Sequence, residues 1–179
     1  MKNRTELARY FTTLGFKVGA EVGVFAGEYS RRLCQIIPDL QLFCIDPWKN
    51  MPERYAEAQA KLAPYNAKVI RKTSLDAVRE FDDNCLDFVY IDGEHSYESV
   101  KEDIEAWTPK VRKGGIVAGH DYYYTRAGNI GVILTVNQYT KEHGYKLELT
   151  DWDIADMEPE RTHHYKINDE QQPNWYFFK

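Results

Sequence analysis

Cysteine is scarce: the 179 residues hold three, Cys34, Cys44 and Cys85, and no two share a paired spacing. That excludes a disulfide-stapled scaffold and a Cys-x-x-Cys zinc or redox motif, and it fits reduced, mostly buried thiols of a cytoplasmic protein. No run of 18 apolar residues exists, so no stretch reads as a membrane span. The opening Met1-Lys2-Asn3-Arg4-Thr5-Glu6 lacks the apolar core of a signal peptide. Positive charge is not in excess either. The 23 Lys and Arg against 28 Asp and Glu leave a net −5, with no basic stripe to hold a nucleic acid. The deficit is local: from Glu148 to Lys179 there are 8 acidic and 3 basic residues. That end reads as a solvated face, with selection of a charged substrate as the alternative. Internal repeats and low-complexity tracts are missing too.

What is present is an ordinary globular composition, 43% hydrophobic and 28% charged, read as one domain over residues 1–179 with a single three-layer core. Leu7, Tyr10, Phe11 and Leu14 recur at helical spacing over residues 4–14, and Gly15 ends that helix. A strand from Ala20 to Val24, a helix from Tyr29 towards Ile37 and a strand from Leu42 to Ile45 follow. A helix from Glu53 to Ala63, a strand from Val69 to Ser74 and a short helix capped by Ser74 or Asp76 come next. Leu86 to Ile91 is almost continuously apolar, as a strand buried on both faces should be. A helix from Tyr97 to Trp107, a Gly114-Gly115 turn and a strand from Ile116 to Gly119 lead to a helix over residues 129–142. Lys146 to Leu149 and Trp175 to Phe178 close the chain as two strands with a long polar connection. Strands alternating with helices make an α/β chain with a mainly parallel sheet.

The chain is organised around Gly19-Ala20-Glu21-Val22-Gly23-Val24-Phe25-Ala26-Gly27-Glu28, a strand, a glycine-bearing turn and a helix start. Gly23 reaches backbone angles closed to other residues, and Gly27 lets the main chain approach a ligand. The following helix aims free N–H groups and its positive dipole end at the same place, which makes the turn a binding edge for a nucleotide-like ligand. Asp46 ends the second strand 19 residues after Gly27. A carboxylate about 20 positions past such a turn accepts hydrogen bonds from both ribose hydroxyls. The nicotinamide fingerprint G-x-G-x-x-G is missing its third glycine, which disfavours a nicotinamide-dependent oxidoreductase.

Glu21-x-Gly23-x-x-x-Gly27 resembles motif I of the class I S-adenosylmethionine (SAM) dependent methyltransferases, and Asp46-Pro47-Trp48 resembles their second motif. Asp92-Gly93-Glu94-His95-Ser96-Tyr97, with Gly114-Gly115 and His120-Asp121-Tyr122 downstream, is similar to a small subgroup of sugar and natural-product O-methyltransferases, methyltransferase family 24. The resemblance covers roughly residues 18–150. It implies a three-layer Rossmann-like fold with a mainly parallel seven-stranded sheet and an antiparallel C-terminal strand. It also implies SAM as cofactor, held by Glu21, Gly23, Phe25, Gly27, Asp46, Trp48, Ser74 and Asp92. The implied partner is a small hydroxylated methyl acceptor, and neither nucleic acid nor a membrane is expected; whether the chain forms a homodimer stays open. The rival readings are the oxidoreductase and a non-catalytic cofactor-binding subunit.

The glycine turn, Asp46, Asp92 and His120-Asp121 each follow a strand, so they converge on the edge where open α/β sheets bind ligands. Methyl transfer to a hydroxyl needs an in-line acceptor and a general base. His95 is the first candidate because imidazole titrates near working pH, with Glu94 and His120 as alternatives. Metal-dependent relatives in that subgroup use an aspartate matching Asp92 and two adjacent aspartates. Here the adjacent pair is His120-Asp121, so the implied divalent-cation site is Asp92, His120 and Asp121. An imidazole among the ligands moves the preference from magnesium to manganese or iron, or to no metal at all.

Overall fold

The computed structural model describes residues 1–123, 130–151 and 173–179. Seven strands form one sheet in the order β3-β2-β1-β4-β5-β7-β6. β1 (Val18–Val22), β2 (Gln41–Ile45), β3 (Ala67–Ile70), β4 (Leu86–Ile91) and β5 (Val111–Gly119) are parallel. β7 (Trp175–Phe178) runs antiparallel to both β5 and β6 (Glu148–Leu149). The chain builds outward from β1 to β3 and then returns to lay β4 on the other side of β1, so strand order reverses between β1 and β4. Three main-chain hydrogen bonds tie the strand ends together there. Gly23 N–H donates to Ile45 O (2.8 Å), Asp92 N–H to Val22 O (2.7 Å) and His120 N–H to Ile91 O (3.1 Å).

Side chains alternate between two cores, one on each face of the sheet. In β4, Phe88 and Tyr90 join the core beneath α1 (Arg4–Thr13), α2 (Glu28–Ile36) and α3 (Pro52–Leu62). Val89 and Ile91 join the opposite core, beneath α4 (Ser74–Ala77), α5 (Tyr97–Trp107) and α6 (Gly131–His143). α1 starts where Asn3 accepts the Glu6 N–H (3.1 Å), and it buries Leu7, Ala8 and Phe11. The Tyr29 hydroxyl then donates to Arg4 O (3.0 Å), which fixes the start of α1 over α2.

Several boundaries differ from those expected of the sequence. β1 ends at Val22, because the backbone of Gly23 (φ 91°) already turns away. β3 ends at Ile70, and neither Ser74 nor Asp76 caps α4; Thr73 does, accepting the Asp76 N–H at 3.2 Å. Gly114 and Gly115 lie inside β5 rather than in a turn before it. The register with β4 slips between Leu86 and Phe88, and the extra residues bulge at Gly114 (φ 76°), whose N–H donates to Lys179 O (2.8 Å). β6 is two residues long. Residues 124–129 and most of the acidic end lie outside the described residues.

Candidate functional site

The turn after β1 is held from two sides. A Cβ built on Gly23 would stand 2.0 Å from Asp92 O, so the crossing of β1 and β4 admits only glycine. Phe25 adopts a left-handed conformation (φ 50°), a costly one for a residue with a side chain. It is held there by Asp46, whose Oδ2 accepts the Phe25 N–H (2.9 Å) while Oδ1 accepts the Trp48 N–H (2.7 Å). The Trp48 indole N–H closes the loop by donating to Phe25 O (2.7 Å). Gly27 (φ 79°) caps α2, but its bare face lies against α3, where a Cβ on this residue would stand 3.2 Å from Ala58 Cα. That face is taken up by close packing of α2 on α3.

Two cavities open along the strand ends. The first, about 670 Å³, is walled by Gly23, Phe25, Asp46, Ser74, Asp92 and Glu94, among others. The second, about 550 Å³, is walled by Arg4, Glu21, Phe25, Asp92, His120 and Asp121. Gly23, Phe25 and Asp92 belong to both, so the two cavities meet at these residues. Of the expected cofactor residues, Gly27 and Trp48 line neither; Trp48 is fully buried behind the turn. Glu94 faces the first cavity, where it accepts the Ser96 hydroxyl, and does not join the cluster around Asp121.

That cluster gathers two carboxylates, two imidazoles and a guanidinium. His95 Nε2 lies 2.8 Å from Asp121 Oδ2 and 3.9 Å from Asp92 Oδ1. His120 Nδ1 lies 3.1 Å from Asp121 Oδ1 and 3.6 Å from Asp92 Oδ1. Arg4 Nη1 stands 3.7 Å from Asp92 Oδ2, and the guanidinium stacks over the Tyr29 ring at 4.9 Å. The hydrogen bond to Asp121, helped by Asp92, pushes His95 up to about 10. Burial opposes ionisation of Asp121, yet hydrogen bonds from His120 and His95 hold it well below the usual carboxylate range. Burial likewise opposes charge on His120, but Asp121 and Asp92 leave its pKa raised. With these partners His95 holds its proton tightly and pairs with Asp121 and Asp92. Glu21, wholly buried, is pushed up to about 8 by burial, against the bond it accepts from the Ser30 hydroxyl.

Ligand atoms of Asp92, His95 and Asp121 lie within 4.8 Å of one another. The sequence pattern put His120 with the aspartates; the structure brings His95 there as well, and among the described residues it is His95 that completes the metal-sized group. The spacing held a signal, since His95 follows Asp92 by three residues in the same loop. Arg4 had none: no motif marks the start of α1 as part of a site.

Comparison with known proteins decides the family. A profile described as a methyltransferase domain matches residues 20–122, from β1 through the end of β5. The chain belongs to this methyltransferase-domain family. An uncharacterised protein of Sinorhizobium fredii, y4gI, is 30% identical over 114 residues, which cover 56% of this methyltransferase domain's chain and 12% of that protein. The chain thus spans about an eighth of the length of the curated relative it matches. Among solved structures, an O-methyltransferase from Bacillus cereus in complex with SAH superposes with a TM-score of 0.73 at 11% identity, over 98% of this chain and 80% of that one. TomG, an O-methyltransferase from Streptomyces achromogenes involved in tomaymycin synthesis and solved with SAM, gives 0.71 at 15% identity, over 98% and 79%. Both likenesses establish the fold. Among the described residues, no helix is long and apolar enough to cross a membrane.

Proposed function

We propose that residues 1–179 form one cytoplasmic SAM-dependent methyltransferase domain that methylates oxygen on a small hydroxylated acceptor such as a sugar or natural product. The supporting observation is the pair of cavities meeting at Gly23, Phe25 and Asp92. The first cavity, with Asp46 and Ser74 in its wall, would hold the nucleoside of SAM, and the second, beyond Asp92, would hold the acceptor. When bound, SAM would supply the methyl group, its carbon–sulfur bond breaking to leave S-adenosylhomocysteine as the acceptor oxygen takes the methyl, and the hydroxyl proton would pass to the carboxylate cluster. Positioning supplies much of the rate for such a displacement. Asp92, in the shared wall, would accept the acceptor's hydrogen bond, and Arg4, 3.7 Å from Asp92 Oδ2 and lining the same cavity, would hold that carboxylate ionised.

Two carboxylates and one imidazole within 4.8 Å also suit a divalent cation, which Asp92, His95 and Asp121 would hold once the cation displaces the proton that the carboxylates keep on His95. When bound it would lower the acceptor hydroxyl's pKa as a Lewis acid. The partners in this reading are cofactor and small acceptor, without nucleic acid or membrane; sedimentation distinguishes monomer from homodimer. Calorimetric titration with SAM, S-adenosylhomocysteine and NAD tests the cofactor, with binding of the first two expected. Methyl release over a panel of hydroxylated acceptors tests the reaction. Tight cofactor binding with no methyl release on any acceptor would favour a non-catalytic subunit instead.

A further inference from the structure

α5 buries one side: Val100, Asp103, Ile104 and Trp107 recur at helical spacing and all four are buried. Asp103 is the anomaly in that stripe. Carboxylates are rarely placed at core positions, and this one is 6% exposed with no cation bonded to it among the described residues. Its surroundings account for the burial. The Trp107 indole N–H donates to Ser74 Oγ (2.8 Å), which turns the Ser74 hydroxyl hydrogen towards Asp103. One carboxylate oxygen is thereby satisfied through a relay from Trp107. Asp103 Oδ2 sits beside Gly93, 3.7 Å from where a Cβ on that residue would be. Gly93 needs no glycine for its backbone or its packing, so a side chain there would simply occupy cavity space.

The same cavity is lined by Asp46 and Gly23 and by Ser74, Leu75 and Asp103. Leu75 is an exposed apolar side chain on the β3 side, and Gly93 leaves the β4 side bare. A flat heterocycle fits between them, with its edge towards Asp103. Burial, with Glu102 and Glu94 nearby, pushes the Asp103 carboxyl up to about 6, so above pH 7 it is an acceptor only.

We propose that Asp103, oriented by the Ser74–Trp107 relay, is the residue that selects the base, accepting the exocyclic amine of an adenine and rejecting a 6-oxo purine. Adenine presents a donor at that edge, whereas hypoxanthine presents an oxygen that an ionised carboxylate repels. The inference rests on the reading of this cavity as the SAM site, and it adds a specificity residue that lies on a helix rather than at a strand end.

The test is calorimetric titration at pH 7.5 of S-adenosylhomocysteine and S-inosylhomocysteine against wild type, Asp103→Leu and Asp103→Asn, with circular dichroism confirming that each folds. Wild type should bind the adenosyl ligand at least tenfold more tightly than the inosyl one. Asp103→Leu should bring that ratio to near one. In Asp103→Asn the amide oxygen takes the Ser74 hydrogen bond and the NH₂ faces the cavity, so the preference should reverse towards the inosyl ligand. A merely structural carboxyl would weaken both ligands together and leave the ratio intact, which would overturn the proposal. No binding of either ligand by wild type would instead defeat the SAM reading, and this inference with it.

Discussion

Asp46 carries two loads, and Asp46→Asn separates them. Its oxygens accept the N–H groups of Phe25 (2.9 Å) and Trp48 (2.7 Å) in a nearly buried position. Asparagine has the same shape but only one acceptor oxygen, so whichever N–H the amide oxygen keeps, the NH₂ group faces the other donor. One charge-assisted bond is lost and one buried N–H is left without an acceptor. The two losses overlap, and together they cost about 2–3 kcal/mol. Both N–H groups belong to one turn closed by the Trp48 indole on Phe25 O, with Phe25 in a left-handed conformation, so losing either bond loosens the same strained loop. For a domain of this size each kcal/mol moves the melting temperature by about 2–4 °C, which predicts a drop of about 4–12 °C without any ligand. Differential scanning calorimetry of the ligand-free protein reads this directly. A second scan with saturating S-adenosylhomocysteine should show a smaller ligand-induced rise than in wild type, because the ribose loses an acceptor as well. If ligand-free Asp46→Asn melts with wild type while cofactor affinity falls, Asp46 is a ribose reader alone and its latch on the turn has no energetic weight.

Gly27→Ala should lower the melting temperature by roughly 3–8 °C through about 1–2 kcal/mol of left-handed backbone cost and a tight contact with Ala58, while calorimetry finds cofactor affinity within twofold of wild type. A tenfold loss of affinity would return Gly27 to the binding edge. The raised pKa of Glu21 makes its folded-state ionisation unfavourable: its contribution is intact below about 4.5 and is lost as pH climbs through about 8. Glu21→Gln should therefore melt higher relative to wild type at pH 9 than at pH 5, and an equal difference at both would show that Glu21 ionises without cost. Exhaustive chelation should abolish methyl transfer, with manganese or iron restoring it better than magnesium and His95→Ala no longer responding. Full activity in chelator would leave Asp92, His95 and Asp121 as an ion-paired cluster.

The legible parts of the fold were those where one physical pattern acts alone. β4 and α5 fall where the sequence puts them, because an apolar run buried on both faces and a helical stripe each leave few alternatives. Boundaries slipped where a long-range contact overrides the local signal: β1 stops at Val22 because Gly23 must clear Asp92 O, a residue far along the chain. Thr73 rather than Ser74 caps α4 because the Ser74 hydroxyl is engaged with Trp107 and Asp103. The motif residues at the strand ends did converge, since parallel strands of one sheet bring their carboxyl ends to one edge. Which of them touch could not be read, because that depends on loop conformation: His95 reaches Asp121 across two loops, and Glu94, its neighbour, faces the other cavity. Asp103 was visible as a charge in an apolar stripe, a signal that periodicity alone treats as noise.

The last strand holds two members of the cluster in place. The Trp175 indole N–H donates to His120 O (3.1 Å), a Cβ on Gly119 would strike the Trp175 ring at 2.4 Å, and β7 pairs along β5 up to Gly119. His120 and Asp121 are thus fixed by residues made 55 positions later. During synthesis the glycine turn and Asp46 can assemble as soon as β1, β2 and β4 have left the ribosome. The His120–Asp121 side of the second cavity must wait for β7, about 4–17 s after β4 at ordinary elongation rates. On the proposed reading, a nascent chain in that interval has its nucleoside cavity while the His120–Asp121 side of the acceptor cavity is not yet fixed, so a cofactor that arrives early would be held without being consumed.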